Sequence, residues 1–240
     1  MGVSTRERGL QAGPFRRRLL VWFRHSGRDL PWRRTRDAYR VLVSEFMLQQ
    51  TQVRRVLEYY PRFLERFPSV RHLARARPRA VREAWDGLGY YARARNLHAL
   101  SRIVARDYDA TLPHDPAELV ALPGVGRYTA GAVACFAYEK AVPAVDTNIA
   151  RVIRRIYGLR IADRGLRNGS ASTRRVWKIA EQLVPKNGKQ AWWFNQAMME
   201  LGATVCVARK PMCNECPVQR YCRTGKARRT DAPGRTVVRE

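Results

Sequence analysis

Leu122–Tyr157, LPGVGRYTAGAVACFAYEKAVPAVDTNIARVIRRIY, decides how this chain is read. It opens on a Pro-Gly turn, with Gly126 two residues after Gly124. The small-residue run Thr129–Ala134 has the spacing of a tightly packed helix. A short loop passes through Pro143, and Asp146 stands directly before a second helical run, Ile149–Ile156. Gly124 and Gly126 are expected to allow backbone conformations closed to other residues and to let another backbone approach. Amide N–H groups at such a turn, leading into a helix N-terminus, form a site for a phosphate. Asp146 occupies an N-cap position, where the helix N-terminus favours its anion, so a carboxylate is expected there at neutral pH. A plain helix-turn-helix with a structural cap would leave the same trace, and two glycines alone do not separate the readings.

Outward from that stretch, the 240 residues suffice for one large or two small domains. No apolar run approaches the roughly 18 residues of a membrane span, and the N-terminus lacks the apolar core of a signal peptide. The expectation is a soluble, cytoplasmic, nucleoid-associated monomer with no membrane partner. Lys+Arg 46 against Asp+Glu 20 gives a net charge of +26 and points to nucleic acid. A GC-rich genome would explain arginine over lysine, but not so few acids.

The chain reads as all-α. Helices are predicted at 15–23, 38–49, 51–66, 70–75, 78–85, 91–106, 115–121, 127–138, 147–157, 171–184 and 190–204, with breaks at turn signals. Residues 1–14 read as disordered, 25–37 and 160–170 as polar loops, and 225–240 as a basic mobile tail. Four of the five cysteines, Cys206, Cys213, Cys216 and Cys222, follow a C-x6-C-x2-C-x5-C spacing. In an intracellular chain this is a metal site rather than a disulfide pair, and four thiolates suit either zinc or an iron–sulfur cluster. Cys135, in an apolar run, reads as core.

In VLVSEFMLQQTQ, Glu45 has Val41, Leu42 and Leu48 on its own helical face. A buried carboxyl without a partner should have a raised pKa and could donate a proton near neutral pH. The bland reading is a half-exposed Glu paired with an arginine. Glu45 and Asp146 together would form a carboxyl pair in opposed environments, one kept protonated and one charged. Cleavage of a glycosidic bond through an oxocarbenium-like state needs that division.

DLPWRRTRDAY, VSEFMLQQTQV, WDGLGYYARARNL, LPGVGRYTAGAV, VDTNIARV, FNQAMMELGA and the cysteine loop together resemble the helix-hairpin-helix base-excision DNA glycosylases, above all their adenine branch. The resemblance covers about residues 15–224. It implies an all-α, two-lobed fold with a C-terminal [4Fe–4S] cluster loop: a six-helix barrel lobe at 25–140, and a cluster lobe formed by 1–24 with 141–224. The implied partner is mismatched double-stranded DNA. By the same resemblance Glu45 is the general acid/base and Asp146 the carboxylate facing the sugar, with Tyr128 and Asn148 as helpers. Gly124 and Gly126 would meet phosphate. Gln49 and Gln50 would lie at the opened duplex, and Tyr90 would wedge into the stack, since flipping a base costs a few kcal/mol of unstacking. Trp32, Arg33, Leu48 and Glu200 would line the base pocket, although each alone also reads as core, surface or ordinary helix. The cysteine spacing resembles the family's [4Fe–4S] loop, which favours that cofactor over zinc. Tyr128 stands where the strand-cutting branch has its Schiff-base lysine, so a monofunctional enzyme is expected.

Two features depart from the adenine branch. Its members usually carry a further domain that reads 8-oxoguanine opposite the adenine, whereas this sequence ends at Glu240 after a basic tail, so a weaker preference for the oxidised partner is expected. Thr147 stands where glycine is common. The thymine-releasing G:T branch shares the hairpin tyrosine. The QQTQ at 49–52 and Glu200 favour adenine opposite guanine or 8-oxoguanine. Thymine or uracil release is the rival within the fold, and a non-catalytic DNA-binding module is the rival outside it. The carboxyl pair argues against the module, and the lack of a His/Asp cluster argues against a zinc-dependent nuclease.

Overall fold

The structure, a computed structural model, describes residues 12–159 and 171–225. The expected N-terminal disorder (apart from residues 12–14), the polar loop at 160–170 and the tail beyond Gly225 lie outside the described residues. Among the described residues there is no strand. The helices are α1 Ala12–Ser26, α2 Ala38–Leu48, α3 Val53–Arg66, α4 Val70–Arg75, α5 Pro78–Ala84, α6 Ala92–Asp107, α7 Pro116–Val120, α8 Arg127–Tyr138, α9 Thr147–Tyr157, α10 Ala171–Leu183 and α11 Gly188–Thr204. Residues 12–14, expected to be disordered, begin α1. The 25–37 loop contains a 3₁₀ turn at Pro31–Arg33, and the cysteine loop contains two more, at Cys213–Glu215 and Gln219–Tyr221.

The described chain forms two compact units. One comprises Arg28–Ala144 and Lys186–Trp192, the other the described residues within Met1–Gly27, Val145–Pro185 and Trp193–Glu240. The unit of Arg28–Ala144 is built around α2, which packs against α3, α6 and α8. Asp37 caps α2 by accepting from the Arg40 N–H at 2.7 Å, and Tyr39 and residues 41 to 47 are buried while Arg40 faces solvent. An aromatic cluster fills the space beside it: Phe63 meets Phe67 at 5.1 Å and Trp85 at 5.6 Å, both edge-on. α8 is small-residue rich for a steric reason. A Cβ at Gly131 would sit 2.4 Å from the Pro143 carbonyl oxygen, so only glycine lets the returning chain lie this close.

In the other unit, Phe15 of α1 is fully buried and packs edge-on to Phe194 and Tyr221. Arg16 closes the C-terminal end of α10, its Nε donating to the Leu183 carbonyl at 2.7 Å. α9 and α10 pack together. α9 ends in a left-handed C-cap at Gly158, φ 62°.

Candidate active site

Glu45 lies on α2 and is 4% exposed. The expected carboxyl without a partner has one: the Tyr128 hydroxyl, on the first turn of α8, donates to Glu45 Oε2 at 2.6 Å. The hairpin places Tyr128 there. Asp115 caps α7 through the Ala117 N–H, Gly124 turns the chain at φ 76°, and Gly126 starts α8. A Cβ at Gly124 would meet Asn96 at 2.8 Å, so glycine is required on both counts. Gly126 corrects the expectation for the pair. Its φ of −90° is open to any residue, and nothing lies within 4 Å of an added Cβ. The exposed side of the turn is free for a ligand to approach, but Gly126 is not required by conformation.

Gln49 caps α2 and Gln50 follows at φ 55°, which ends the helix and delays α3 to Val53; the predicted helix from 51 starts two residues late for this reason. Tyr90 is 63% exposed, with φ 47°. Leu48 is half-buried at the end of α2. Trp32 is buried edge-on against Tyr60 at 5.5 Å, and Arg33 donates to the Arg28 carbonyl at 2.9 Å.

The other unit builds the second carboxylate from the start of α9. Asp146 Oδ1 accepts from the Ile149 N–H at 2.7 Å, and Oδ2 accepts from Asn148 Nδ2 at 2.8 Å. Arg151, one turn on, donates from Nη2 to Asn148 Oδ1 at 2.8 Å and to the Gly202 carbonyl at 2.6 Å, and from Nε to the Cys206 carbonyl at 2.8 Å. α11 crosses here without a side chain: a Cβ on Gly202 would lie 2.6 Å from Asn148 Cβ. Burial pushes the Asp146 pKa up, against the pull of the Ile149 N–H, the Asn148 amide and the Arg151 charge. The cap favours the anion, but removal of water from the carboxylate is the larger effect. Glu200, on α11, is fully buried.

Cys206, Cys213, Cys216 and Cys222 line one small cavity of about 30 Å³ together with Arg155, Val205 and Met212. Donors face the sulfurs: Arg155 Nη1 lies 3.3 Å from Cys206 Sγ, and the Gly225 N–H lies 3.3 Å from Cys222 Sγ. Burial pushes the Cys216 thiol up to about 11. Among the described residues no group of three or more His, Cys, Asp or Glu is placed to hold a metal ion. Four thiols lining one apolar space, with N–H donors facing Cys206 and Cys222, offer an all-sulfur donor set of the kind that holds thiolate-bound metal groups.

Residues 43–182 match the profile of the HhH-GPD superfamily base excision DNA repair proteins. The chain belongs to this superfamily. An adenine DNA glycosylase of Mycolicibacterium smegmatis is 46% identical over 222 residues, 92% of this chain and 72% of the relative. One from Rattus norvegicus is 42% identical over 94% of this chain, which spans only 45% of that protein. Among solved structures, a thermostable thymine-DNA glycosylase superposes with a TM-score of 0.80 at 31% identity, covering 90% of this chain and 97% of that one. The all-helical HhH-GPD fold expected from the hairpin is therefore the fold of this protein.

Several residues of this HhH-GPD protein escaped the sequence reading. Arg93 is 7% exposed on α6, and Arg151, Arg155 and Gly202 frame the start of α9 and the cysteine loop. Arg93 had a signal, because Leu97 and Leu100 lie on its own helical face, as apolar residues do around Glu45. Asn148, Arg151 and Arg155 recur at helical spacing along α9, a polar stripe that is also visible in sequence.

Proposed function

We propose that this HhH-GPD protein is a monofunctional DNA glycosylase that removes adenine mispaired with guanine or 8-oxoguanine. The observation that carries the reading is the 46% identity to an adenine DNA glycosylase along 92% of the chain, against 31% to the thymine enzyme.

Glu45 gives its proton to a ring nitrogen of the purine. The glycosidic bond breaks, its electron pair leaves with the base, and the sugar becomes cationic at C1′. Asp146 stabilises that cation, and water adds to it, yielding an abasic site and a proton. The Tyr128 hydroxyl orients Glu45 through their 2.6 Å hydrogen bond, and Asn148 and Arg151 fix Asp146. Tyr128 has no amine, so no Schiff base forms at this position and the strand stays intact. The amides of the Gly124–Gly126 turn hold a backbone phosphate. Gln49, Gln50 and Tyr90 enter the opened duplex, while Trp32, Arg33, Leu48 and Glu200 surround the extruded base. Cys206, Cys213, Cys216 and Cys222 would hold a [4Fe–4S] cluster, which organises the loop carrying Arg209 and Lys210. The partner is mismatched duplex DNA, bound by a monomer. Among the described residues no helix is long and apolar enough to cross a membrane.

The test is single-turnover release from A:8-oxoG, A:G, G:T and G:U duplexes at fixed salt, with alkali to reveal abasic sites. Adenine release should be fastest. Faster thymine or uracil release would move the protein to the G:T branch and remove Glu200 from its role.

A further inference from the structure

α2 runs out at Leu48, and the loop after it turns through Gln50 at φ 55°. A second loop, residues 87–91, turns through Tyr90 at φ 47°. Neither residue is glycine, and both stand in the left-handed region that side chains disfavour, so something outside each loop must hold it there. Arg93 is placed to do so. Its Nη1 donates to the carbonyls of Phe46 (2.9 Å), Met47 (2.7 Å) and Gln49 (2.6 Å). Its Nη2 donates to those of Leu88 and Gly89, both at 3.1 Å. The guanidinium lies 5.4 Å from the Trp85 ring centroid and 5.7 Å from that of Tyr90. One buried cation therefore closes the negative end of α2, the helix of Glu45, and grips the neighbouring loop with its second nitrogen.

We propose that Arg93 is a positioning residue that locks the Gln50 and Tyr90 loops into one preset insertion unit. This rests on the reading of Gln50 and Tyr90 as duplex-inserting side chains. The fork of a guanidinium is what the geometry uses. A lysine carries its donors on a single atom and cannot reach, from two separate nitrogens, both the three carbonyls at the end of α2 and the two of the 87–91 loop. Loosening the lock frees both loops to relax their left-handed residues, so the side chains arrive misplaced and the target base is extruded less often.

The test is Arg93→Lys, which keeps the buried charge and is compared with wild type in four measurements: melting temperature, affinity for undamaged duplex, unstacking reported by 2-aminopurine beside the target adenine, and single-turnover excision. Excision is measured on a paired A:G duplex and on a duplex whose target adenine sits in a pre-opened bubble. The lysine variant should bind undamaged duplex within about threefold of wild type, lose roughly 10- to 100-fold in excision on the paired duplex with a weaker 2-aminopurine signal, and recover to within about threefold in the bubble. Wild-type fluorescence and excision on the paired duplex would overturn the proposal, as would an equal loss on both substrates. Should Arg93→Lys fail to fold, Gln50→Ala and Tyr90→Ala in a double-mutant cycle replace it. Overlapping losses support one insertion unit, and additive losses overturn it. Failure of wild type to release adenine would instead sink the adenine reading, while the fluorescence still reports insertion.

Discussion

Gly202→Ala places a methyl group where α11 crosses the first turn of α9. The new Cβ would stand 2.6 Å from Asn148 Cβ and 3.1 Å from its Cα and carbonyl carbon. Ordinary carbon contacts lie at about 3.5–4.0 Å, so the two segments must part by roughly 1 Å. Two of the three neighbouring atoms are backbone, so a rotamer change cannot relieve the clash. Overpacking of this kind costs about 1–3 kcal/mol, which in a domain of this size lowers the melting temperature by roughly 2–4 °C per kcal/mol. The larger effect falls on chemistry. Asn148 donates to Asp146 Oδ2, and Arg151 spans Asn148 and the Gly202 carbonyl, so the displacement passes to the carboxylate directly. A misplacement of about 1 Å costs on the order of 100-fold in rate. Single-turnover adenine release on the folded fraction, measured beside thermal melting and duplex affinity, separates the two effects. Melting and release both at wild-type values would refute the close-packing argument. A lowered melting temperature with release within about threefold of wild type would refute the link from Gly202 to Asp146.

Asp146→Asn should abolish base release, by at least about 100-fold, and raise the melting temperature of the free protein at pH 7. Because burial raises the folded pKa of Asp146, the ionised carboxylate destabilises the fold above its unfolded pKa of about 3.9, and the gain from Asn should fade as pH falls toward that value. A pH-independent gain, or none, removes this account. Tyr128→Phe deletes the donor to Glu45 and should cost about 1.5–3 kcal/mol, roughly 10- to 100-fold in release; an unchanged rate separates Tyr128 from the chemistry. Borohydride should trap no covalent adduct with wild-type protein. Anaerobically prepared protein should absorb near about 400 nm and hold roughly four irons, and Cys213→Ser should lower folded yield more than release rate per folded molecule; one zinc without iron would contradict the cluster.

Much of this was legible in the sequence where a local rule governs the outcome. Ser69 and Pro78 start α4 and α5 where capping chemistry puts them, and Asp146 caps α9 because its carboxylate can reach the Ile149 N–H three residues on. Glu45 was found by its apolar neighbours on one face. The misses share a physical cause, which is that the deciding partner lies far along the chain. The break at Gln50 was expected, but nothing in QQTQ signals that it runs on to Val53; Arg93, more than 40 residues away, takes the carbonyls that end α2. Gly202 is one small residue in MELGAT until Asn148 is seen beneath it. Tyr128 is named by the resemblance, but the contact of its hydroxyl with Glu45, 83 residues away, is not legible locally. The upward pull of burial on Asp146 is likewise invisible locally, because a cap is local and desolvation is not.

The arginines bonded to carbonyls bear on how the protein should respond to salt. Arg16, Arg93, Arg151 and Arg155 each give N–H donors to backbone oxygens within their own unit. They count in the formal +26, yet their donors are taken by helix-end and loop carbonyls rather than phosphates, so they should displace no condensed ions from DNA. The slope of log affinity against log salt should therefore be shallower than the net charge suggests, at about 0.9 per phosphate actually contacted. Replacing an exposed arginine at the duplex should flatten that slope by about one such step, whereas replacing one of these four should leave it where it was.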